Sequence, residues 1–267
     1  MTVFQGAASA YPAYQPGLPD DVSALPASTV RDVPWPALLD LGSGTGQVRL
    51  ALHSRVSRID IVDVDAGMLA EAQRQLTPLI GDIPLSAYLG PAEDFTPVHP
   101  DYRAHLVAAC RSFHWMNASA VLRRLEAVTA PDAHVAIMGD GSLWTARSAW
   151  TDELRALIQS HLGTERRAGS QGTYQGERRP YRDVLVASAF SEITAHTVPF
   201  RRPWTVDGVL GYLDSTSYAA PGLFGDRHTD FRQEARDLLT VHEVDGVLAE
   251  DAVFTVLFAR RPKGAGR

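Results

Sequence analysis

The chain has 267 residues, 45% of them hydrophobic and 21% charged, which is enough for one large α/β domain or two small ones without a disulfide or metal staple. A formal charge of -6 argues against a nucleic-acid partner, since such proteins cluster basic residues to displace counterions from phosphates. No apolar run approaches the roughly 20 residues that span a bilayer, and MTVFQGAASAYPAYQPGLP lacks the basic region and apolar core of a secretory signal, so a cytoplasmic chain without a membrane partner is expected.

Prolines at positions 12, 16, 19, 26, 34 and 36 exclude a long helix at the start. They leave a short one over Leu18–Leu25 with Pro19 in its first turn, and residues 1–36 read as an N-terminal cover. From residue 37 to 140, strand patterns alternate with helical ones. The strands are Ala37–Leu41, Arg58–Asp63, Pro84–Leu89, His105–Cys110 and His134–Met138; the helices are Gln47–Ser54, Ala66–Leu76 and Ala118–Val128. This alternation predicts a doubly wound, mostly parallel α/β sheet with residues 37–140 as a cofactor-binding core. Cys110, the only cysteine, ends the fourth strand in apolar company and reads as a small buried hydrophobe.

Beyond Gly139 the regularity weakens. An amphipathic helix over Trp150–Leu162 is followed by a polar, glycine-bearing loop to Pro180, a helix over Tyr181–Ala189 and a strand over Glu192–Phe200. Two further helices, Val206–Leu213 and Phe231–Leu239, precede a last strand, Asp251–Arg260, bringing the sheet to seven strands. Residues 141–260 thus complete the sheet and carry insertions suited to covering a substrate, and 261–267 read as a frayed tail.

In LLDLGSGTGQ, residues 38–47, a strand runs into Gly42, Gly44 and Gly46 and then a helix, so the backbone turns tightly and approaches a ligand at the strand's carboxyl end. A dinucleotide site wants glycine where Gln47 stands, and Asp40 would repel a pyrophosphate but suits a ligand bearing an ammonium group. The second strand, IDIVDVDAGML, ends at Asp63, where a carboxylate can accept both ribose hydroxyls of an adenosine. Asp65 reads as the cap of the next helix. In GPAEDF, Ala92 and Glu93 are placed to meet an adenine edge or to form a plain acidic turn. In ACRSFHWMN, His114 and Trp115 fall just past the fourth strand, either beside an acceptor or packing the next helix.

Taken in order, LLDLGSGTGQ, IDIVDVDAGML, GPAEDF and SFHWMN resemble the class I S-adenosylmethionine-dependent methyltransferases, in the small-molecule branch with an FHW segment after the fourth strand. The resemblance implies a Rossmann-like seven-stranded fold with S-adenosylmethionine as cofactor and S-adenosylhomocysteine as product. It places Asp40, Gly42, Ser43, Gly44 and Gly46 around the methionine moiety, Asp63 on the ribose, Val64, Met68, Ala92 and Glu93 at the adenine, and Tyr14 in the cover. Two positions depart from the family pattern: Gln15 stands where arginine is common, and Arg111 where glutamine is, so Arg111 is expected to take over the cofactor's carboxylate.

Methyl transfer from a sulfonium is an in-line displacement, so the protein mainly positions the acceptor and excludes water. His114 is the candidate base for a hydroxyl or amine, with Trp115, Trp144 and Tyr218 on the acceptor side. No acidic cluster or histidine spacing suggests a metal. The expected partner is a small molecule in natural-product metabolism, and the chain a monomer or homodimer. The rival readings are a nicotinamide-dependent oxidoreductase and a non-catalytic cofactor-binding regulator.

Overall fold

The computed structural model describes residues 17–167, 173 and 180–263. Strands β1 (Ala37–Leu41), β2 (Arg58–Asp63), β3 (Leu85–Leu89), β4 (Ala104–Cys110), β5 (Thr129–Asp140), β6 (Glu192–Trp204) and β7 (Leu248–Arg260) form one sheet in the order β3-β2-β1-β4-β5-β7-β6. The pairs β1–β2, β2–β3, β1–β4 and β4–β5 are all parallel. This is the doubly wound α/β arrangement that the alternation predicts. The order reverses between β1 and β4, which makes the crevice at their carboxyl ends the natural ligand site.

The described residues divide into two compact units, one of residues 17–139, 180–198 and 254–263, the other of residues 140–167, 173 and 199–253. In the first unit, all five residues of β1 are buried, as expected of a central parallel strand covered on both faces. Leu39, Leu41, Val107, Ile137 and Phe190 meet Val121, Leu122 and Leu125 of helix α4 (Ala118–Val128) in its core. Each such side chain contributes about 1.5–3 kcal/mol by leaving water. Helix α3 (Ala66–Ile80) begins where the Asp65 carboxylate accepts from the Gly67 and Met68 amides, so Asp65 is the cap the sequence suggests. The helix outlasts the expected end at Leu76 by carrying Pro78 in its last turn and burying Ile80. The helix expected over Leu18–Leu25 is α1, Asp20–Thr29, with Pro26 buried inside it. Helix α2 (Gln47–Leu52) gives way to a 3-10 turn, His53–Arg55, before the expected end at Ser54.

Arg261 corrects the frayed tail at its first residue. Its guanidinium donates to the Ala130 and Glu126 carbonyls and to the Thr129 hydroxyl, and lies 4.7 Å from the Phe190 ring. Residues 264–267, like Tyr14 and most of the 163–180 loop, lie outside the described residues.

In the second unit, α5 (Ala149–Leu162), α6 (Val206–Asp214) and α7 (His228–His242) bury Trp150, Leu154, Ile158, Leu210, Leu213, Phe231 and Leu239 together. Ser148 and Thr151 cap α5 reciprocally, one residue earlier than the pattern suggests. Phe224 stacks on Phe231 with ring centroids 4.0 Å apart. Arg202 is nearly buried between Asp140 and Glu250, and Glu250 also accepts from the Trp204 indole at 2.7 Å.

Candidate functional site

Every loop leaving the carboxyl end of a strand in the first unit is shaped by a specific interaction. After β1 the chain turns through Gly42, Gly44 and Gly46, whose φ angles of 61°, 50° and 99° are costly for any residue with a Cβ. At Gly42 a second constraint applies: an added Cβ would stand 2.5 Å from that of Ser112, because the loop after β4 crosses directly over the glycine turn. The crossing is fixed by the Ser112 hydroxyl, which donates to the Leu41 carbonyl at 2.7 Å. Ser112 was not among the residues singled out from sequence.

Asp63, at the end of β2, ties two loops together. One carboxylate oxygen accepts from the Gly44 amide at 2.8 Å and the other from the Asp65 amide at 2.9 Å. Burial pushes its pKa above the usual carboxylate value, and these amides pull in the opposite direction. Beside it, Val64 is 55% exposed and Leu89, its neighbour across the sheet at the end of β3, is 59% exposed. Met68 is buried in the first turn of α3 and Ala92 in a 3-10 turn, Ala92–Asp94. Glu93, next to Ala92, accepts from the Asn117 amide at the start of α4. A carboxylate rooted in the backbone and two uncovered aliphatic side chains therefore share one rim.

Asp40 and Arg49 form an ion pair beneath the glycine turn. Both side chains are sealed from solvent, and the closest approach is 3.6 Å, beyond hydrogen-bonding range. The guanidinium fills the space under Gly46, where an added Cβ would lie 1.9 Å from Nη2. Among the described residues, Asp40 Oδ2, the hydroxyls of Ser43 and Thr45, and all three guanidinium nitrogens of Arg49 have no hydrogen-bond partner. Burial pushes Asp40 up to about 7 although Arg49 opposes the rise, and it lowers Arg49 to about 10. Sequence reasoning missed Arg49. The available signal was a carboxylate in a strand buried on both faces, which demands a counter-charge nearby.

Arg111 adopts φ 55°, a left-handed conformation unusual for a side chain of its size. Its amide donates to the Met138 carbonyl at 2.8 Å, and its guanidinium lies over Phe254 at 5.4 Å. Phe113–Trp115 form a 3-10 turn in which Phe113 is buried while His114 and Trp115 are exposed, their rings 4.8 Å apart. The first unit thus brings together Asp40, Gly42, Ser43, Gly44, Gly46, Asp63, Val64, Met68, Ala92, Glu93, Arg111, His114 and Trp115. Trp144 and Tyr218 belong to the second unit, where their rings meet edge-on at 5.5 Å and Arg166 lies over Tyr218 at 5.2 Å. Tyr218 is 2% exposed and sits in that unit's core. Among the described residues, no group of three or more His, Cys, Asp or Glu is placed to hold a metal, and no helix is long and apolar enough to cross a membrane.

Residues 38–132, from β1 into β5, match the family model of the methyltransferase domain. The chain thus contains a methyltransferase domain. Solved structures share the fold of the chain at low identity. A candidate type II methyltransferase from Anaeromyxobacter dehalogenans has TM-score 0.62 and 17% identity, over 93% of this chain and 98% of that one. A candidate methyltransferase from Bacillus halodurans C-125 has TM-score 0.54 and 13% identity, over 91% and 100%. A candidate sarcosine dimethylglycine methyltransferase from Galdieria sulphuraria has TM-score 0.50 and 13% identity, over 91% and 85%. A search of curated proteins returns no match. The site's own chemistry fits the cofactor: the unpartnered donors and acceptors around Asp40, Ser43, Thr45 and Arg49 suit a zwitterionic end, and Asp63 with its aliphatic rim suits a nucleoside.

Proposed function

We propose that this methyltransferase acts on a small-molecule acceptor through an oxygen, nitrogen or carbon nucleophile, in natural-product or other secondary metabolism, as a cytoplasmic monomer or homodimer. The observation that carries the reading of the cofactor site is the Asp63 carboxylate, anchored to the Gly44 amide and flanked by the exposed Val64 and Leu89. In this reading Asp63 accepts the ribose hydroxyls, and Val64, Met68, Ala92 and Glu93 line the adenine. Gly42, Ser43, Gly44 and Gly46 let the backbone approach the methionine moiety, whose ammonium is held by Asp40. Tyr14 from the 1–36 cover and Arg111 complete the surround, with residues 37–140 as the cofactor core, 141–260 supplying the acceptor side and the residues after Arg261 as a tail.

When bound, S-adenosylmethionine supplies an electrophilic methyl group on a sulfonium. The chain's residues do the rest: Trp115 orients the acceptor and excludes water, and the His114 imidazole takes the proton of a hydroxyl or amine as the carbon–oxygen or carbon–nitrogen bond forms, whereas Tyr218, buried in the core of the second unit, is not offered to an acceptor. The acidic chain and the lack of a basic patch in the sequence support a small molecule over a nucleic acid.

The test is a thermal-shift titration with S-adenosylhomocysteine, NADH and NADPH. S-adenosylhomocysteine should raise the melting temperature, by about 2.7 kcal/mol of stabilisation at a hundredfold excess over Kd, and Asp63→Ala should remove the effect. A response to a nicotinamide cofactor, or an undiminished response in Asp63→Ala, would sink this assignment of the site. Acceptor candidates are then screened by mass spectrometry for the gain of one methyl group.

A further inference from the structure

We propose that Arg49 is a positioning residue for the methyl donor: from beneath the glycine turn it holds Asp40 as a carboxylate, ready to receive the donor's ammonium group. This rests on the donor site described above and gives Arg49 a specific task within it.

The geometry leaves Arg49 little else to do. It emerges from the first turn of α2 yet turns back under Gly46, with no exposed surface. A guanidinium offers five N–H donors, and here none of its nitrogens finds an acceptor among the described residues. Burying a cation in that state costs several kcal/mol, and a hydrophobic side chain of similar volume would fill the space more cheaply. The compensation available is Coulombic, and the nearest charge is Asp40 at 3.6 Å.

Asp40 needs that charge. It lies in β1 with Asp63 of β2 as a second carboxylate acting on it, and both burial and Asp63 favour its neutral form. Arg49 is the one influence acting in the other direction. The remaining neighbours of β1 and α2 do not supply another: β4 carries no Asp, Glu, Lys or Arg and its His105 accepts from the Ala37 amide at the far end of the strand, α1 brings only the exposed Asp20 and Asp21, and His53 and Arg55 follow in the 3-10 turn after α2. Because burial lowers Arg49 only to about 10, it stays charged throughout the neutral range, whereas Asp40 at about 7 is poised. Removing Arg49 raises Asp40 further, so the carboxylate that meets an ammonium group is then largely protonated at neutral pH.

The experiment measures S-adenosylhomocysteine affinity by calorimetry from about pH 6 to about pH 9 for the wild type, Arg49→Met and Arg49→Lys, with 5′-methylthioadenosine, which lacks the amino-acid end, as the control ligand. Wild-type affinity should fall as pH drops through about 7. Arg49→Met should bind about tenfold or more weakly at neutral pH and recover as pH rises, its midpoint displaced upward by about one unit or more. Arg49→Lys, which keeps a charge, should lie between the two, and 5′-methylthioadenosine should bind all three alike at every pH. An unshifted midpoint in Arg49→Met overturns the proposal, and so does a loss of equal size at every pH or a loss shared by 5′-methylthioadenosine. Should Arg49→Met fail to fold, the midpoint of Arg49→Lys decides alone. A wild type that binds neither ligand refutes the donor site itself, and with it this proposal.

Discussion

Gly42→Ala tests whether the crossing of two loops shapes the cofactor site. The new methyl carbon meets two separate costs. At φ 61° an L-residue carries about 1–2 kcal/mol of backbone strain. Its Cβ would also stand 2.5 Å from the Ser112 Cβ, far inside the roughly 3.5–4.0 Å of carbon–carbon contact, and such overpacking costs about 1–3 kcal/mol. Met116 Cε at 3.0 Å is the end of a flexible side chain and can move aside. The sum, about 2–5 kcal/mol, corresponds to a fall in Tm of about 5–15 °C for a chain this size. The two costs separate in a double-mutant cycle: in a Ser112→Gly background the contact disappears and only the φ strain remains, whereas Ser112→Ala keeps its Cβ and gives no relief. Melting curves of the five variants decide. Equal penalties for Gly42→Ala in the Ser112→Gly and wild-type backgrounds would refute the loop crossing as the reason for glycine.

Glu250→Ala removes one of the two carboxylates on Arg202 and the acceptor of the Trp204 indole. It should destabilise the second unit by about 3–5 kcal/mol, seen as a drop in denaturant midpoint without a change in slope. An effect under about 1 kcal/mol would mean that the network is not holding that unit together. Once an acceptor is in hand, His114→Asn should lower kcat at neutral pH by about 10²-fold or more for a hydroxyl acceptor and abolish the acidic limb of the pH–rate profile, while leaving S-adenosylhomocysteine affinity unchanged. Full turnover by this variant excludes His114 as the base.

Strands β1 and β2 match their expected bounds, and β3 and β4 differ by one residue at the start: β1, β2 and β4 are largely buried and therefore rich in apolar residues, whereas β3, at the sheet edge and without a fully buried residue, is marked by Leu85, Tyr88 and Leu89. Strand β5 was recognised only from His134, because Pro131 and Asp132 interrupt the apolar signal, although the strand starts at Thr129 and shifts register against Ala104. Strand β6 was cut short at Phe200 for a different reason. Most of it is exposed and polar, and its last residues include Arg202, buried only because Asp140 and Glu250 receive it. The helices starting at Ala66 and Ala118 and the cap at Asp65 follow from local chemistry. What no local pattern contains is a contact between distant segments, and so Ser112 over Gly42 was not foreseen; Arg49 lies only three residues from Gly46, and what the sequence does not show is that its side chain turns back beneath the glycine turn instead of out to solvent.

The two buried arginine clusters show why the missed one matters. Arg202 has two carboxylates, one of which also takes an indole N–H, so each ion is matched within its own unit. Such an arrangement is complete and needs nothing further. Arg49 has a single carboxylate, too far for a hydrogen bond, and lies next to two more unpartnered hydroxyls. Unsatisfied polar atoms at about 1–3 kcal/mol each are a stability cost that a purely structural core would shed. Among the described residues the Tyr102 and Tyr218 hydroxyls and the Nε atom of Arg166 also lack a hydrogen bond, but only around Arg49 do six such atoms fall within ten residues, and that concentration at the glycine turn separates this cluster from the completed one at Arg202.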